Sequence, residues 1–255
     1  MDYRTKRQFI ALSILALILA GAGLLFFRGI SEATCADGRR NQTEEGVDCG
    51  GSCTPCELKN RKPIEVLWAR AVPSRSGVVD AAAEIRNPNV RVGARRMQYE
   101  FRLFDAADAV LATRKGEGYV YPGETVHFVE FGIPVADAVR RIDFVIGEAD
   151  WAVIDAVRPD VVAGNREYRI TDVRGFLQSE VATIVQNRSL DRVRMLTVTV
   201  LVLDAQENLI ALNARELDEL VSGASAPVTF RWPQTIAQSV GAMLVEARSP
   251  SLLPR

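Results

Sequence analysis

Two kinds of hydrophobic pattern divide this chain. From Phe9 to Phe27 the residues FIALSILALILAGAGLLFF carry no charge, and Ser13 is the one polar side chain among them. Such a run approaches the ~20 residues that cross a ~30 Å hydrocarbon core. Arg4, Lys6 and Arg7 precede it, against Asp2, and Arg28 follows. The positive-inside rule then predicts a cytoplasmic tail at 1–7, a single-pass transmembrane anchor at 8–28, and extracytoplasmic placement of the rest at the cell membrane. A cleaved signal peptide is the competing reading, with Ala20-Gly21-Ala22 as its site. Leu24-Leu25-Phe26-Phe27 continues the apolar run past that site and favours the anchor. A lipoprotein is disfavoured, because Glu32-Ala33-Thr34 before Cys35 is a poor lipobox.

Beyond a short polar linker, Glu57 to Lys62, the pattern changes to short apolar or alternating stretches separated by turn residues. Val78–Arg86, Arg95–Phe104, Glu124–Phe131 and Val139–Ile146 have strand lengths and are rich in Val, Ile, Phe and Tyr. Tyr99-Glu-Phe101-Arg-Leu103 alternates at period two, as a strand with one buried face does. Gly116-Glu-Gly118 is expected as a turn between strands.

The layout recurs about a hundred residues later. Ile85-Arg-Asn87 matches Val185-Gln-Asn187, and Phe101-Arg-Leu-Phe-Asp105 matches Val200-Leu-Val-Leu-Asp204. Pro122-Gly123 before Val126-His-Phe128 parallels Ser222-Gly223 before Val228-Thr-Phe230, and each block ends through a proline, Pro134 or Pro233, in a last strand at Phe144-Val145 or Leu244-Val245. Leu209–Leu220 is expected, by analogy with the first copy, to hold a strand, a turn and another strand. The chain is therefore expected to be mainly β, with two tandem immunoglobulin-like antiparallel β-sandwich domains at 63–155 and 166–249. Arg158-Pro159-Asp160 and Gly164-Asn165 break the pattern between them. The strand-plus-Asp turn resembles the FxLYD-type sandwich of bacterial envelope proteins, more weakly in the second copy, which has lost the aromatic positions.

All four cysteines fall just past the apolar run, in a disulfide-rich stalk module at 35–56. Cys35, Cys49, Cys53 and Cys56 are even in number, clustered and on the exported side, so paired disulfides are expected. So short a segment cannot build a core of its own, and crosslinks replace one. Three pairings are possible, and a strained Cys53–Cys56 bridge is the least favoured. A zinc site or a thioredoxin-like role for Cys53-Thr-Pro-Cys56 is disfavoured, the first by the exported location and the second by the lack of a surrounding βαβ pattern. Asp37, Asn41, Glu45 and Asp48, with Glu44, place oxygen donors near two glycines, as a calcium ion prefers; a solvated acidic turn is the alternative. The string C-x-DG-x2-NQ-x-E-x-G-x-DCGG-x-C-x-P-C resembles a cysteine motif of secreted bacterial proteins, where it sits beside β-sandwich or adhesion-type modules. That resemblance implies surface display and no particular reaction. Asn41-Gln-Thr43 and Asn187-Arg-Ser189 fit the N-glycosylation sequon.

Composition narrows the chemistry. The net charge of −1 gives no global attraction for nucleic acid. A single histidine, His127, removes most acid–base, Ser–His and catalytic-zinc designs. Its place in Val126-His-Phe128 predicts the solvent face of a strand. No G-x-S-x-G, Walker loop or H-E-x-x-H is present. Arg91, Arg95 and Arg96, with Arg86 and Arg102, form a candidate anion patch, against ordinary alternation on a wet sheet face. Trp68, Trp151 and Trp232 are expected in core or interdomain packing. The expectation is a non-catalytic binding or scaffolding protein of the cell envelope, held by its N-terminal helix. Its expected partner is an envelope protein or cell-wall polymer, and no cofactor beyond the calcium candidate is expected. The alternatives are an accessory subunit of an envelope complex, and a hydrolase using a carboxylate pair.

Overall fold

The computed structural model describes residues 3–29, 34–41, 43–155 and 158–250; the side chains of 3–7, 9–11 and 25–29 are not described. Residues 1–2 of the expected tail, residues 32 and 33 before Cys35, and Gln42 of the cysteine motif lie outside the described residues. Two compact units form, Met1–Lys59 and Asn60–Arg255.

The first unit holds helix α1, Tyr3–Gly29, the cysteine module, and a single helical turn α2, Cys56–Lys59, where a polar linker was expected. Among the described residues no helix is long and apolar enough to cross a membrane. The expected span at 8–28 extends beyond the side chains described in α1, which are those of Gln8 and residues 12–24.

The second unit is all β. Its first half contains β1 (Glu65–Arg75), β2 (Val78–Arg86), β3 (Val92–Phe104), β4 (Val110–Val120), β5 (Thr125–Pro134) and β6 (Arg141–Val153). Its second half contains β7 (Val161–Val173), β8 (Phe176–Asn187), β9 (Val193–Leu203), β10 (Leu209–Leu220), β11 (Ser225–Trp232) and β12 (Ala242–Arg248). Each half is a sandwich of two three-stranded antiparallel sheets, ordered β1-β2-β5 over β4-β3-β6, and β11-β8-β7 over β10-β9-β12. The strand order is the same in both, so the expected duplication is present in the topology.

Two local devices recur at matching places. Asn87 and Asn187 are fully buried, and each Nδ2 donates to two backbone carbonyls: Val92 and Tyr121 in the first copy, Asp191 and Leu220 in the second. Asp105 and Asp204 close the β3–β4 and β9–β10 turns by accepting the backbone N–H groups two and four residues on. Buried and committed in this way, Asn187 does not offer its amide for glycosylation in the folded chain.

The core chemistry has diverged. Tyr99, Phe101, Phe128 and Phe144 pack ring to ring in the first sandwich, with centroids 4.9–5.9 Å apart. By register their counterparts are Val198, Val200, Val228 and Val245. The match of Val126-His-Phe128 to Val228-Thr-Phe230 is thus shifted by two residues, and that of Phe144 to Leu244 by one. Gly116 and Gly118 lie inside β4, where a turn was expected. A Cβ on Gly116 would fall 2.3 Å from the Tyr99 ring, and one on Gly118 2.3 Å from Phe128. Their counterparts by register are Arg215, opposite Val198, and Leu217, opposite Leu196.

Three further expectations are corrected. Leu209–Leu220 is one continuous strand, paired along its length with β9. The second sandwich begins at Val161, before residue 166, because β7 passes through Gly164-Asn165 in a bulge with Asn165 at φ 50°. His127 is not on a solvent face.

The sandwiches stack so that sheet β1-β2-β5 meets sheet β10-β9-β12. Val72, Ala82, Leu201, Leu209 and Leu212 form this shared core, with Trp68, Val129 and Leu203 against it. β2 therefore gives Ala81, Ala83 and Ile85 to its own sandwich and Ala82 to the joint; β9 gives Val198, Val200 and Val202 inward and Leu201 to the joint. Trp151 and Trp232 pack against the first and second cores, as expected.

Replacing Asn187 by Ala leaves two buried carbonyls without their donor. The expected loss is about 2–3 kcal/mol of unfolding free energy, read by chemical denaturation followed through tryptophan fluorescence, with an exposed control such as Arg188→Ala near zero.

Candidate functional site

Four places bring chemistry-bearing residues together: the cysteine module, the arginine patch, the joint between the sandwiches, and a projecting hairpin. In the module, Cys35 bonds Cys53 and Cys49 bonds Cys56, so all four cysteines are oxidised and the disfavoured Cys53–Cys56 bridge does not form. Three glycines of the motif are steric necessities. A Cβ on Gly46 would lie 2.9 Å from Cys49 Sγ, one on Gly50 2.6 Å from Glu45, and one on Gly51 2.2 Å from the Thr43 carbonyl. Glu44 is buried beside the Cys35–Cys53 bridge, and its Oε2 accepts the backbone N–H groups of Asn41 and Asp48. Cys35, Glu44 and Cys53 lie close enough to suggest a metal cluster, but both sulfurs are tied up in the disulfide.

The calcium candidates take their places in the same loop. Asp37 accepts from the Arg39 N–H and the Asn41 amide, which together hold its carboxyl below the usual range. Asp48 accepts from the Gly38 N–H, and the Lys59 ammonium lies 2.9 Å from the Val47 carbonyl and 3.4 Å from Asp48 Oδ2. Glu45 is exposed, and its backbone N–H bonds the Cys49 carbonyl. N–H donors and an ammonium thus engage the Asp37 and Asp48 carboxylates, an arrangement that suits the acidic-turn reading.

The arginine patch is paired away. Arg91 meets Asp155 at 2.8 Å, Arg95 meets Asp150 at 2.8 Å, and Arg96 meets Glu117 at 3.9 Å. Next to it, a depression of about 580 Å³ on the outer face of β4-β3-β6 is lined by Gln98, Glu100, Arg102, Lys115 and Glu117. A hydrogen bond from Arg102 leads the effects that hold the Glu100 carboxyl low, which is opposite to what a general acid needs. Asp80 is raised by burial, but the roughly 180 Å³ cleft it lines holds no second carboxylate. A similar self-pairing recurs at Glu180, buried between Arg169 and Arg231. Burial pushes its carboxyl up, and the hydrogen bonds and charge of the two guanidiniums outweigh that and hold it low.

At the joint, sequence reasoning missed a buried ionic network. Glu124 lies at the start of β5, its counterpart in the second copy being Ala224. Its carboxylate accepts the Tyr121 N–H at 2.9 Å and faces Arg248 of β12 at 3.1 Å and Arg158 at 3.3 Å. Arg248 also donates to the Tyr119 carbonyl at 2.8 Å and lies over the Tyr119 ring. Burial opposes its charge, and Glu124 leads the groups that more than restore it. His127 Nδ1 and its backbone N–H both meet Glu246 Oε2, at 3.0 and 3.1 Å, and Nε2 lies 3.7 Å from Glu84. The difference between Glu124 and Ala224 in otherwise matching turns was the signal available in the sequence.

The projecting element is the β7–β8 hairpin. β11 pairs with β8 only as far as Ser179, whereas β7 and β8 continue pairing to Val173 and Phe176. Arg174 and Gly175 close it with φ of 56° and 84°, the paired positive angles of a tight hairpin turn. Ile170, Val173, Phe176 and Leu177 are 53%, 44%, 72% and 57% exposed, so this tip is apolar on both faces.

Arg248→Ala removes the buried cation facing Glu124 and leaves its carboxylate with Arg158 and the Tyr121 N–H, which should cost about 3 kcal/mol. The double change Arg248→Met with Glu124→Gln should recover most of it in the same denaturation assay. The folded-state pKa of Glu180 is depressed, so its contribution is present above the unfolded value of about 4.3 and is lost as pH falls through the folded one. Glu180→Gln should therefore lower stability at pH 7, and its deficit against the native chain should shrink as the pH falls below the unfolded value and through the depressed folded one.

No family model matches the chain, and no curated protein matches it. Among solved structures it is similar to a red sea bream transglutaminase, at 12% identity and a TM-score of 0.24 over 75% of this chain. The aligned part is 30% of the transglutaminase chain. It is also similar to the tandem CBM22-1-CBM22-2 domains of Paenibacillus barcinonensis Xyn10C, at 9% identity and a TM-score of 0.16, over 74% of this chain and 85% of that one.

Proposed function

We propose that the chain is a membrane-anchored, extracytoplasmic binding or scaffolding protein of the cell envelope, built from a disulfide-bonded stalk and two immunoglobulin-like sandwiches. The observation that carries the binding role is the β7–β8 tip. Four large apolar side chains held on a closed hairpin beyond their sheet form a surface that water disfavours and a protein partner covers. The partner that fits is an envelope protein with an apolar recess that can take these four side chains. The accessory-subunit reading uses the same surface.

The anchor is the uncharged run Phe9–Phe27 of α1. A helix of 27 residues reaches about 40 Å at 1.5 Å per residue. Its described side chains from Leu12 to Leu24 are exposed and apolar all round but for Ser13, a condition stable in lipid and not in water. Oxidised cysteines support an oxidising compartment beyond it.

Crosslinking in intact cells, followed by identification of the captured proteins, tests the role. Phe176→Asp with Leu177→Ser should reduce capture of the specific partner at least about tenfold, as loss of central apolar anchors does, and should leave the unfolding transition in place. Capture unchanged by these substitutions would remove the tip from the binding role.

A further inference from the structure

The end of the sandwiches opposite the β7–β8 tip carries a second apolar feature, built twice. Val90 and Leu190 stand at matching positions, three residues after Asn87 and Asn187, and are 87% and 95% exposed. Neither loop is loose. Asn89 is tied to Asn87 through its N–H and its side chain, and Ser189 donates its N–H to Asn187. Rigid loops thus hold two aliphatic side chains outward, with Met195, 66% exposed, in the same half as Leu190.

The two loops share one end of the stacked pair. Tyr121, beside the first loop, donates its hydroxyl to the Ser249 carbonyl, and Ser249 Oγ donates to the Arg194 carbonyl beside the second. This is also where the chain enters the sandwiches. The Lys62 N–H donates to Asn89 Oδ1 at 2.7 Å, and Asn89 Nδ2 returns a bond to the Lys62 carbonyl at 2.9 Å. The end bearing Val90 and Leu190 is therefore the one nearest in sequence to the apolar helix.

We infer that Val90 and Leu190 seat the sandwiches on the outer face of the membrane that holds α1, by dipping into its interfacial zone. The inference rests on the proposed anchor. Lipid is the occupant favoured here because tethering keeps this end near a bilayer and raises its effective concentration there. The contact is chiefly apolar: Asp155 and Glu219 pair with the flanking Arg91 and Arg192, so anionic lipid is not required. The arginine stems lie along the same end, where long cationic side chains reach toward headgroups.

The test uses the full-length chain reconstituted into phosphatidylcholine vesicles, with or without lipid carrying a doxyl quencher high on its acyl chain. Val90→Trp and Leu190→Trp are compared with the native chain, whose three tryptophans give the background. Leu17→Trp reports anchor insertion, and Phe176→Trp reports the opposite end. The introduced tryptophans at 90 and 190 should lose about half their added fluorescence, as interfacial insertion requires, and the one at 176 should lose none. Quenching at 17 without quenching at 90 and 190 overturns the seat and leaves the anchor standing. Blue-shifted but unquenched emission at 90 and 190 indicates a protein contact and also overturns it. No quenching at 17 removes the anchor, and the seat with it.

Discussion

The structure depends on burying both faces of its two middle sheets. Four sheets lie in series, and the inner two, β1-β2-β5 and β10-β9-β12, have a sandwich core on one side and the shared joint on the other. An antiparallel strand in that position cannot alternate apolar with polar, since water reaches neither face of it. β2 meets the demand with three consecutive alanines and β9 with Val200-Leu201-Val202, all fully buried. Small side chains on β2 let the sheets approach, and leucines from β9 and β10 fill the space. Neither sandwich could be exposed alone without baring this surface, so the pair acts as one body.

The buried charged groups of the joint gather along one margin, where β5 meets β12. There Glu124, Arg248, Glu246 and His127 fix how the two sandwiches face each other. An apolar joint has little directional preference, whereas a guanidinium set between a buried carboxylate, a carbonyl and a tyrosine ring has one good arrangement. Duplication alone does not produce such a contact, because identical copies offer identical turns. A carboxylate at position 124 against a methyl at 224 makes the copies unequal, and the carboxylate pairs with Arg248 across the joint.

What stayed fixed between the copies and what drifted follow from different physics. The Asn87 and Asn187 clamps and the Asp105 and Asp204 turns persist because a backbone left with unmet carbonyls or N–H groups loses free energy whatever the core contains. The core needs only matched volume and shape. Four rings in the first copy stand where the second has four valines, and the glycines that make room for two of the rings correspond to Arg215 and Leu217. This explains which features were legible in the sequence. The strand periods and the Asn and Asp punctuation located both sandwiches and their order. The Gly116-Glu-Gly118 strand and the Gly164-Asn165 bulge were misplaced, since glycine there serves a neighbouring ring or a bulge and not a turn, and the turn expected in β10 was carried over from that misread first copy. The same limit hid the surroundings of His127. Alternation shows which face of a strand a residue takes, but not that a second sandwich covers the outer one.

The two ends of the tandem are unequal in what they present. One receives the chain at Lys62 and presents Val90 and Leu190; the other ends in the hairpin carrying Val173 and Phe176. Between them run strands such as β8, whose 12 residues span about 40 Å at ~3.3 Å per residue. Because the joint locks the sandwiches together, that separation is a fixed length. A flexible linker of comparable reach would give a broad distribution of distances instead. The shared joint and its ionic margin thus hold the apolar hairpin tip in a fixed position relative to the chain-entry end of the sandwiches.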